Sequence, residues 1–147
     1  MKEKFIQAYM DVAKRFAELS HARGLKVGAI AVKDDKIISI GFTGTPAGWD
    51  NNCENMVGYE SNNVPVYKTK PEVIHAESNC ISKLARSSES GLGSDLFVTH
   101  SPCLDCAKLI YQSGIKRVFF GAAYRSTEGI VFLEKSGVEV HQINDAS

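Results

Sequence analysis

The sequence lacks an excess of charge of either sign: 17 lysines and arginines stand against 17 aspartates and glutamates in 147 residues. No overall positive field draws in a polyanion, so a stable nucleic-acid partner is not expected. Long apolar runs are also missing. None approaches the roughly 20 residues needed to span a bilayer, so a membrane partner is not expected either. The opening stretch MKEKFIQAYMDVAKRFAELS mixes charge into apolar residues at helical spacing. A secretory leader is not built that way. Glycine (12) and proline (4) are too sparse for a collagen-like chain, and 44% apolar content argues against disorder. Cysteine is sparse too: Cys53, Cys80, Cys103 and Cys106. Without an export signal a disulfide framework is the weaker reading, and a cytoplasmic chain is expected. A close Cys-x-x-Cys pair then points to metal or redox chemistry.

What is present suffices for one compact α/β domain over residues 1–147. Phe5, Ile6, Tyr9, Val12, Ala13, Phe16 and Leu19 fall on one stripe of a helix over 2–22, with Gly24 as its stop. Apolar runs at 27–32 and 36–42 flank Lys33-Asp34-Asp35 and read as a hairpin. Residues 43–74 hold three of the four prolines and show no apolar period, which predicts a long loop, functional or disordered, whose Trp49, Tyr59 and Tyr67 fit either order on binding a ligand or a small packed cluster of its own. Helices follow at 74–86, 103–113 and 127–136, and strands at 95–100, 115–120 and 138–143. Strands that alternate with helices imply parallel pairing through right-handed crossovers, and the opening hairpin makes the sheet mixed.

Two short motifs carry chemistry. His75-Ala76-Glu77 opens one predicted helix and Pro102-Cys103-Leu104-Asp105-Cys106 opens another. His-x-Glu alone is common, and Cys-x-x-Cys alone fits a redox pair or half of a structural zinc knuckle. Together, two thiolates and one imidazole form a three-ligand zinc set that keeps the fourth position for water. A helix N-terminus favours the thiolates, and zinc brings the pKa of water down to roughly 7. Glu77 supplies a proton shuttle. Positions 75 and 77 lie about 200° apart on an ideal helix, so the pair works only at a helix end. H-x-E followed by P-C-x-x-C is the signature of zinc nucleobase deaminases.

The match extends beyond these motifs. Val27-Gly28-Ala29, the glycine-rich Gly41-Phe42-Thr43-Gly44-Thr45-Pro46-Ala47-Gly48, His75-Ala76-Glu77-Ser78-Asn79, Pro102 through Ile110, and Gly114-Ile115-Lys116-Arg117-Val118 resemble the deoxycytidylate (dCMP) deaminase branch of the cytidine deaminase-like superfamily. The Gly-Thr-Pro-Ala-Gly form is similar to phage versions, for which the compartment would be the host cytoplasm. The resemblance implies a three-layer α/β/α fold with a five-stranded mixed sheet and hydrolysis of dCMP to dUMP and ammonia. It assigns zinc to His75, Cys103 and Cys106, and the proton shuttle to Glu77. Ala76, Ser101 and Pro102 would line the base pocket, and Val27 would flank the ring. Tyr124 would stack on the base, the alternative being a core tyrosine. Arg125 would meet a phosphate, the alternative being a surface charge. Thr43 stands where the family commonly carries asparagine, and its shorter hydroxyl still offers a donor and an acceptor to the sugar.

The resemblance also implies a homo-oligomer, a hexamer, activated by dCTP and inhibited by dTTP, with Mg2+ on the triphosphate. Lys26, Gly44, Pro46, Gly48, Trp49 and Lys68 are the candidate effector contacts, and Lys70 is a nearby charge. Taken singly, each lysine reads more readily as an ordinary solvent-facing charge. Cys53 and Cys80, with His21 or His100, could form a second metal site, though their spacing favours free thiols. Competing readings are deamination of another cytosine species and a non-catalytic zinc module. The latter leaves Glu77 without a role.

Overall fold

The computed structural model describes residues 1–124 and 126–144. The run expected at 27–32 becomes strand β1 (Gly28–Lys33), and the next becomes β2 (Lys36–Phe42). They pair antiparallel with Lys33 opposite Lys36, so Asp34 and Asp35 form a two-residue turn. Both aspartates have positive φ, 51° and 61°. That is the mirror-image turn whose twist matches a hairpin, and aspartate tolerates it better than most residues.

The other elements are α1 (Glu3–Ala17), β3 (Glu54–Tyr59), β4 (Pro65–Thr69), α2 (Ala76–Leu84), β5 (Asp95–His100), α3 (Leu104–Gln112), β6 (Arg117–Ala122), α4 (Glu128–Lys135) and β7 (Glu139–Gln142). The main sheet runs β2-β1-β5-β6-β7. β1 is antiparallel to both neighbours, whereas β5, β6 and β7 are parallel. The mixed, five-stranded α/β sheet is therefore as expected.

Strand side chains alternate between faces, and the central strands are apolar on both. Ile30, Val32, Phe97 and Phe119 point to one side, where Met10 and Ala13 of α1 cover them. Ala29, Ala31, Leu96, Val98, Val118 and Phe120 point to the other, against Ala76, Cys80, Ala107, Ile110 and Leu133 of the remaining helices. Those alternating faces produce the three layers. Phe97 and Phe119 stack at 4.7 Å between centroids in the smaller core.

Two expectations are corrected. The first helix ends at Ala17, not near residue 22, and Gly24 does not cap it. The chain leaves it through Ser20, whose hydroxyl donates to the Thr43 carbonyl at 2.6 Å and accepts from the Ala22 N–H. This side-chain competition for backbone groups stops the helix early. Residues 43–74 are not one loop: β3 and β4 form a separate antiparallel hairpin. Met56, Val57, Tyr59 and Tyr67 are exposed on it, so neither face carries a regular apolar period. A register shift between Met56 and Gly58 breaks the alternation further.

The edge strand β2 is closed by α2. Asn79 donates to the Phe42 carbonyl at 3.2 Å, and Lys83, one turn on, donates to the Ile40 carbonyl at 2.9 Å. Ser39 donates to the Cys80 carbonyl at 2.6 Å. Between them Gly41 lets the helix backbone approach, because a Cβ there would strike the Ala76 carbonyl and the Cys80 nitrogen. Both obstacles are backbone. Gly41→Ala should therefore destabilise the fold by about 1–3 kcal/mol or more by overpacking. Gly24→Ala, with nothing near the added methyl, should stay within about 0.5 kcal/mol. Urea unfolding of the two variants checks this, and equal midpoints would refute it.

Candidate active site

The parallel strands β5 and β6 direct their carboxyl ends to one edge, where ligand sites of α/β sheets form. The N-termini of α2 and α3 meet there. His75 is the N-cap of α2 (φ −66°, ψ 152°) and Cys103 the N-cap of α3 (φ −71°, ψ 171°). Both are extended, and neither side chain caps its own helix. The angular problem of positions 75 and 77 thus disappears: His75 lies outside the helix that carries Glu77.

His75 Nδ1 lies 3.4 Å from Cys106 Sγ and 3.6 Å from Cys103 Sγ. All three donor atoms fall within 4.8 Å of one another. Tetrahedral zinc, with bonds of about 2.3 Å to sulfur and about 2.0–2.1 Å to nitrogen, sets such atoms about 3.5 Å apart. The donor set fits that ion in type and spacing. Among the described residues this is the one His/Cys/Asp/Glu group of three or more that could hold a metal. Three protein ligands are the count of a catalytic rather than a structural zinc site.

Glu77, the second residue of α2, is 5% exposed. Burial pushes its carboxyl up to about 7, against opposing contributions from its own backbone N–H and the Cys106 thiol. Burial thus moves Glu77 toward the neutral range, where a carboxyl exchanges protons readily, and a cation beside it would pull the other way. Burial also drives the Cys106 thiol upward, helped by the neighbouring Glu77 and Cys103 charges. A cation held among these groups reverses that logic and favours the thiolate.

His75, Glu77 and Cys103 line a cleft of about 180 Å³. Five of the predicted substrate contacts, Val27, Thr43, Ala76, Ser101 and Tyr124, line it.

With this geometry in place, comparison with known proteins is decisive. The model of the family described as "Cytidine and deoxycytidylate deaminase zinc-binding region" matches residues 3–122. The chain belongs to this deaminase family. The deoxycytidylate deaminase of Enterobacteria phage T2 is 31% identical over 169 residues, covering 91% of this chain and 89% of its own. The human deoxycytidylate deaminase is 35% identical over 120 residues, 76% of this chain and 61% of its own. A crystal structure of dCMP deaminase from cyanophage S-TIM5, in complex with dCMP and dUMP, superposes with a TM-score of 0.86. Its identity is 44%, over 97% of this chain and 99% of that one. Membership makes this a zinc-binding deaminase and confirms the fold class.

Other predicted residues of this deaminase fall less simply. Ser101 is buried; its N–H donates to the Ala122 carbonyl and its hydroxyl accepts from the Tyr124 N–H at 2.7 Å. It thereby places Tyr124, which is 40% exposed and so is not a core tyrosine. Pro102 is fully buried and does not line the cleft. Its carbonyl instead abuts Gly129 of α4, where a Cβ would collide with it. Arg125 lies outside the described residues. The Thr43 hydroxyl accepts from the Val27 N–H at 3.1 Å, so part of its bonding capacity serves the entry to β1 rather than a ligand.

The effector candidates divide. Gly44, Pro46 and Gly48 line a second cleft, of about 260 Å³, together with His21, Cys53, Asn79 and Lys83. Lys26 lines a separate depression with Thr99 and His100. Trp49 is 60% exposed and Lys68 sits on β4, and neither lines the second cleft. Cys53 and Cys80 are buried and form no disulfide. Burial raises both thiols above the ordinary range, Cys80 to about 11.

Sequence reasoning missed Leu25, Thr69, Val73 and His100, which complete the cleft. Only His100 carried a signal, as a polar residue ending a strand beside the Cys-x-x-Cys motif. Leu25, Thr69 and Val73 come from segments with no periodicity to place them.

Proposed function

We propose that this chain hydrolyses dCMP to dUMP and ammonia, within one deaminase domain over residues 1–147. The observation that carries the reading is the His75–Cys103–Cys106 donor set beside a buried carboxylate, Glu77, which lines the same cleft as His75 and Cys103. His75, Cys103 and Cys106 hold the zinc. When bound there, zinc supplies a Lewis acid that makes water a nucleophile near neutral pH.

The protein's own groups do the rest. Glu77 accepts a proton from the attacking water and delivers it to ring N3 as oxygen adds to C4 of the cytosine. Glu77 then carries the remaining proton to the departing amine, which leaves as ammonia while the carbonyl of dUMP forms. Val27 and Tyr124 flank the base, the Ser101 carbonyl accepts from its exocyclic amine, and Ala76 lines its edge. The half-exposed ring of Tyr124 suits stacking on a base that enters from solvent. Thr43 serves the sugar, and Arg125, outside the described residues, is the proposed phosphate contact.

The S-TIM5 enzyme in complex with dCMP and dUMP, and the deoxycytidylate deaminases of phage and human origin, support dCMP over other cytosine species. Regulation by dCTP and dTTP, with Mg2+ on the triphosphate, and a hexameric assembly complete the proposal. The second cleft, with Gly48 at φ 87° allowing close backbone approach, is the place for the effector. No helix among the described residues is long and apolar enough to cross a membrane. Four cysteines with no disulfide among them suit a reducing cytoplasm.

The test is loss of cytosine absorbance by zinc-loaded protein with dCMP, dCTP, deoxycytidine and cytosine. Each runs with and without dCTP or dTTP plus magnesium. Preferential turnover of dCMP is the expected result. Preference for another cytosine species would move the substrate and keep the chemistry.

A further inference from the structure

Glu54 is a buried carboxylate, 6% exposed, that the reaction does not use. It opens β3 and is bonded in two directions. Its backbone pairs with Thr69 on β4. Its side chain crosses to the segment between α1 and β1. There Oε2 accepts from the backbone N–H groups of Arg23 (2.9 Å) and Gly24 (3.3 Å), and Oε1 accepts from Arg23 Nη1 (3.3 Å). The Arg23 guanidinium closes the arrangement. It donates to Asn52 Oδ1 at 2.7 Å and lies 4.7 Å from the ring centroid of Tyr67, which is two residues before Thr69.

Each segment supplies a wall of the catalytic cleft. Leu25 and Val27 follow Arg23 directly, and Thr69 is Glu54's own register partner. Neither segment is rigid by itself. Residues 18–27 carry no helix or strand. The β3–β4 hairpin forms its own two-stranded sheet, separate from the main one, and such a hairpin is marginally stable alone. A buried carboxylate with three donors makes strong, charge-assisted bonds and leaves a large penalty if a partner is lost.

We propose that Glu54 is a positioning residue for substrate binding: it clamps the Arg23–Gly24 backbone to the hairpin and so sets the separation of the Leu25 and Thr69 walls. The inference rests on the dCMP deaminase reading for its substrate, but the clamp itself does not.

The test uses zinc-loaded protein with Glu54→Ala, Glu54→Gln and the milder Arg23→Ala, which leaves the two backbone bonds in place. Glu54→Ala should raise the KM for dCMP about tenfold while kcat stays within about threefold, because binding geometry is lost and the proton shuttle is untouched. Arg23→Ala should raise KM by a smaller factor in the same direction. Glu54→Gln retains one acceptor and should recover much of the loss. Zinc content should remain at wild-type level in all three. Hydrogen–deuterium exchange, which needs no substrate, should quicken over 23–27 and 65–69 together in Glu54→Ala and Arg23→Ala. Unchanged KM in both variants, or kcat falling with KM unmoved, would overturn the assignment. So would exchange that quickens in only one of the two segments. A wild-type protein that ignores dCMP, with variants that still show the paired exchange effect, would instead overturn the substrate reading and leave the clamp standing.

Discussion

Glu77→Gln is expected to lower kcat for dCMP by about 10³-fold or more, at the upper part of the range for a lost general acid–base group, while leaving zinc content unchanged. The substitution keeps the shape of a side chain that is 5% exposed and removes its ability to exchange protons. Glu77 is not one of the three clustered donors, so metal retention separates loss of proton transfer from loss of the site. Steady-state kinetics with metal analysis on one sample decides it. Near wild-type turnover would sink the proton-shuttle role. Loss of zinc along with activity would make Glu77 a ligand or a support for one.

The other large effect concerns the metal. Cys106→Ser should weaken zinc binding by at least about 100-fold, the scale already reached by losing an outer-shell partner, and abolish turnover with it. Cys106 is 3% exposed and its sulfur lies 3.4 Å from His75 Nδ1. Replacing it removes a ligand from the centre of the site, not from its rim. Chelation of the wild-type protein should lower its thermal midpoint, since metal binding to the folded state stabilises it by mass action. Cys53→Ser is the internal control. Cys53 is equally buried but does not belong to the clustered donors, so its variant should keep a full complement of zinc. A Cys106→Ser protein that titrates zinc as the wild type does would refute the ligand set.

The chemistry was legible before any coordinates because it is local. His-x-Glu and Pro-Cys-x-x-Cys each place their reactive groups within a few residues at the start of a helix, and a metal demands particular donor types. The β1–β2 hairpin was equally plain, since an Asp-Asp pair between apolar runs is a turn with its own conformational logic. Boundaries moved where side chains competed with the backbone, as at Ser20. The β3–β4 hairpin escaped notice because strands are recognised by alternation, and alternation requires one face to be buried. Here Met56, Val57, Tyr59 and Tyr67 stay exposed.

The reaction class came from resemblance to a known family, whereas the residue order alone pointed to the candidate metal donors and the mixed α/β architecture. Those follow from short-range spacing and from apolar runs whose periods report burial. The walls of the cleft needed the assembled fold. Leu25, Thr69 and Val73, and His100 come from three separate segments, and Glu54 meets Arg23 across 31 positions of chain. Contacts of that separation leave no periodic trace in a sequence. They are set by how the hairpin and the α1–β1 segment pack beside the sheet, and the shape of the substrate pocket is set with them.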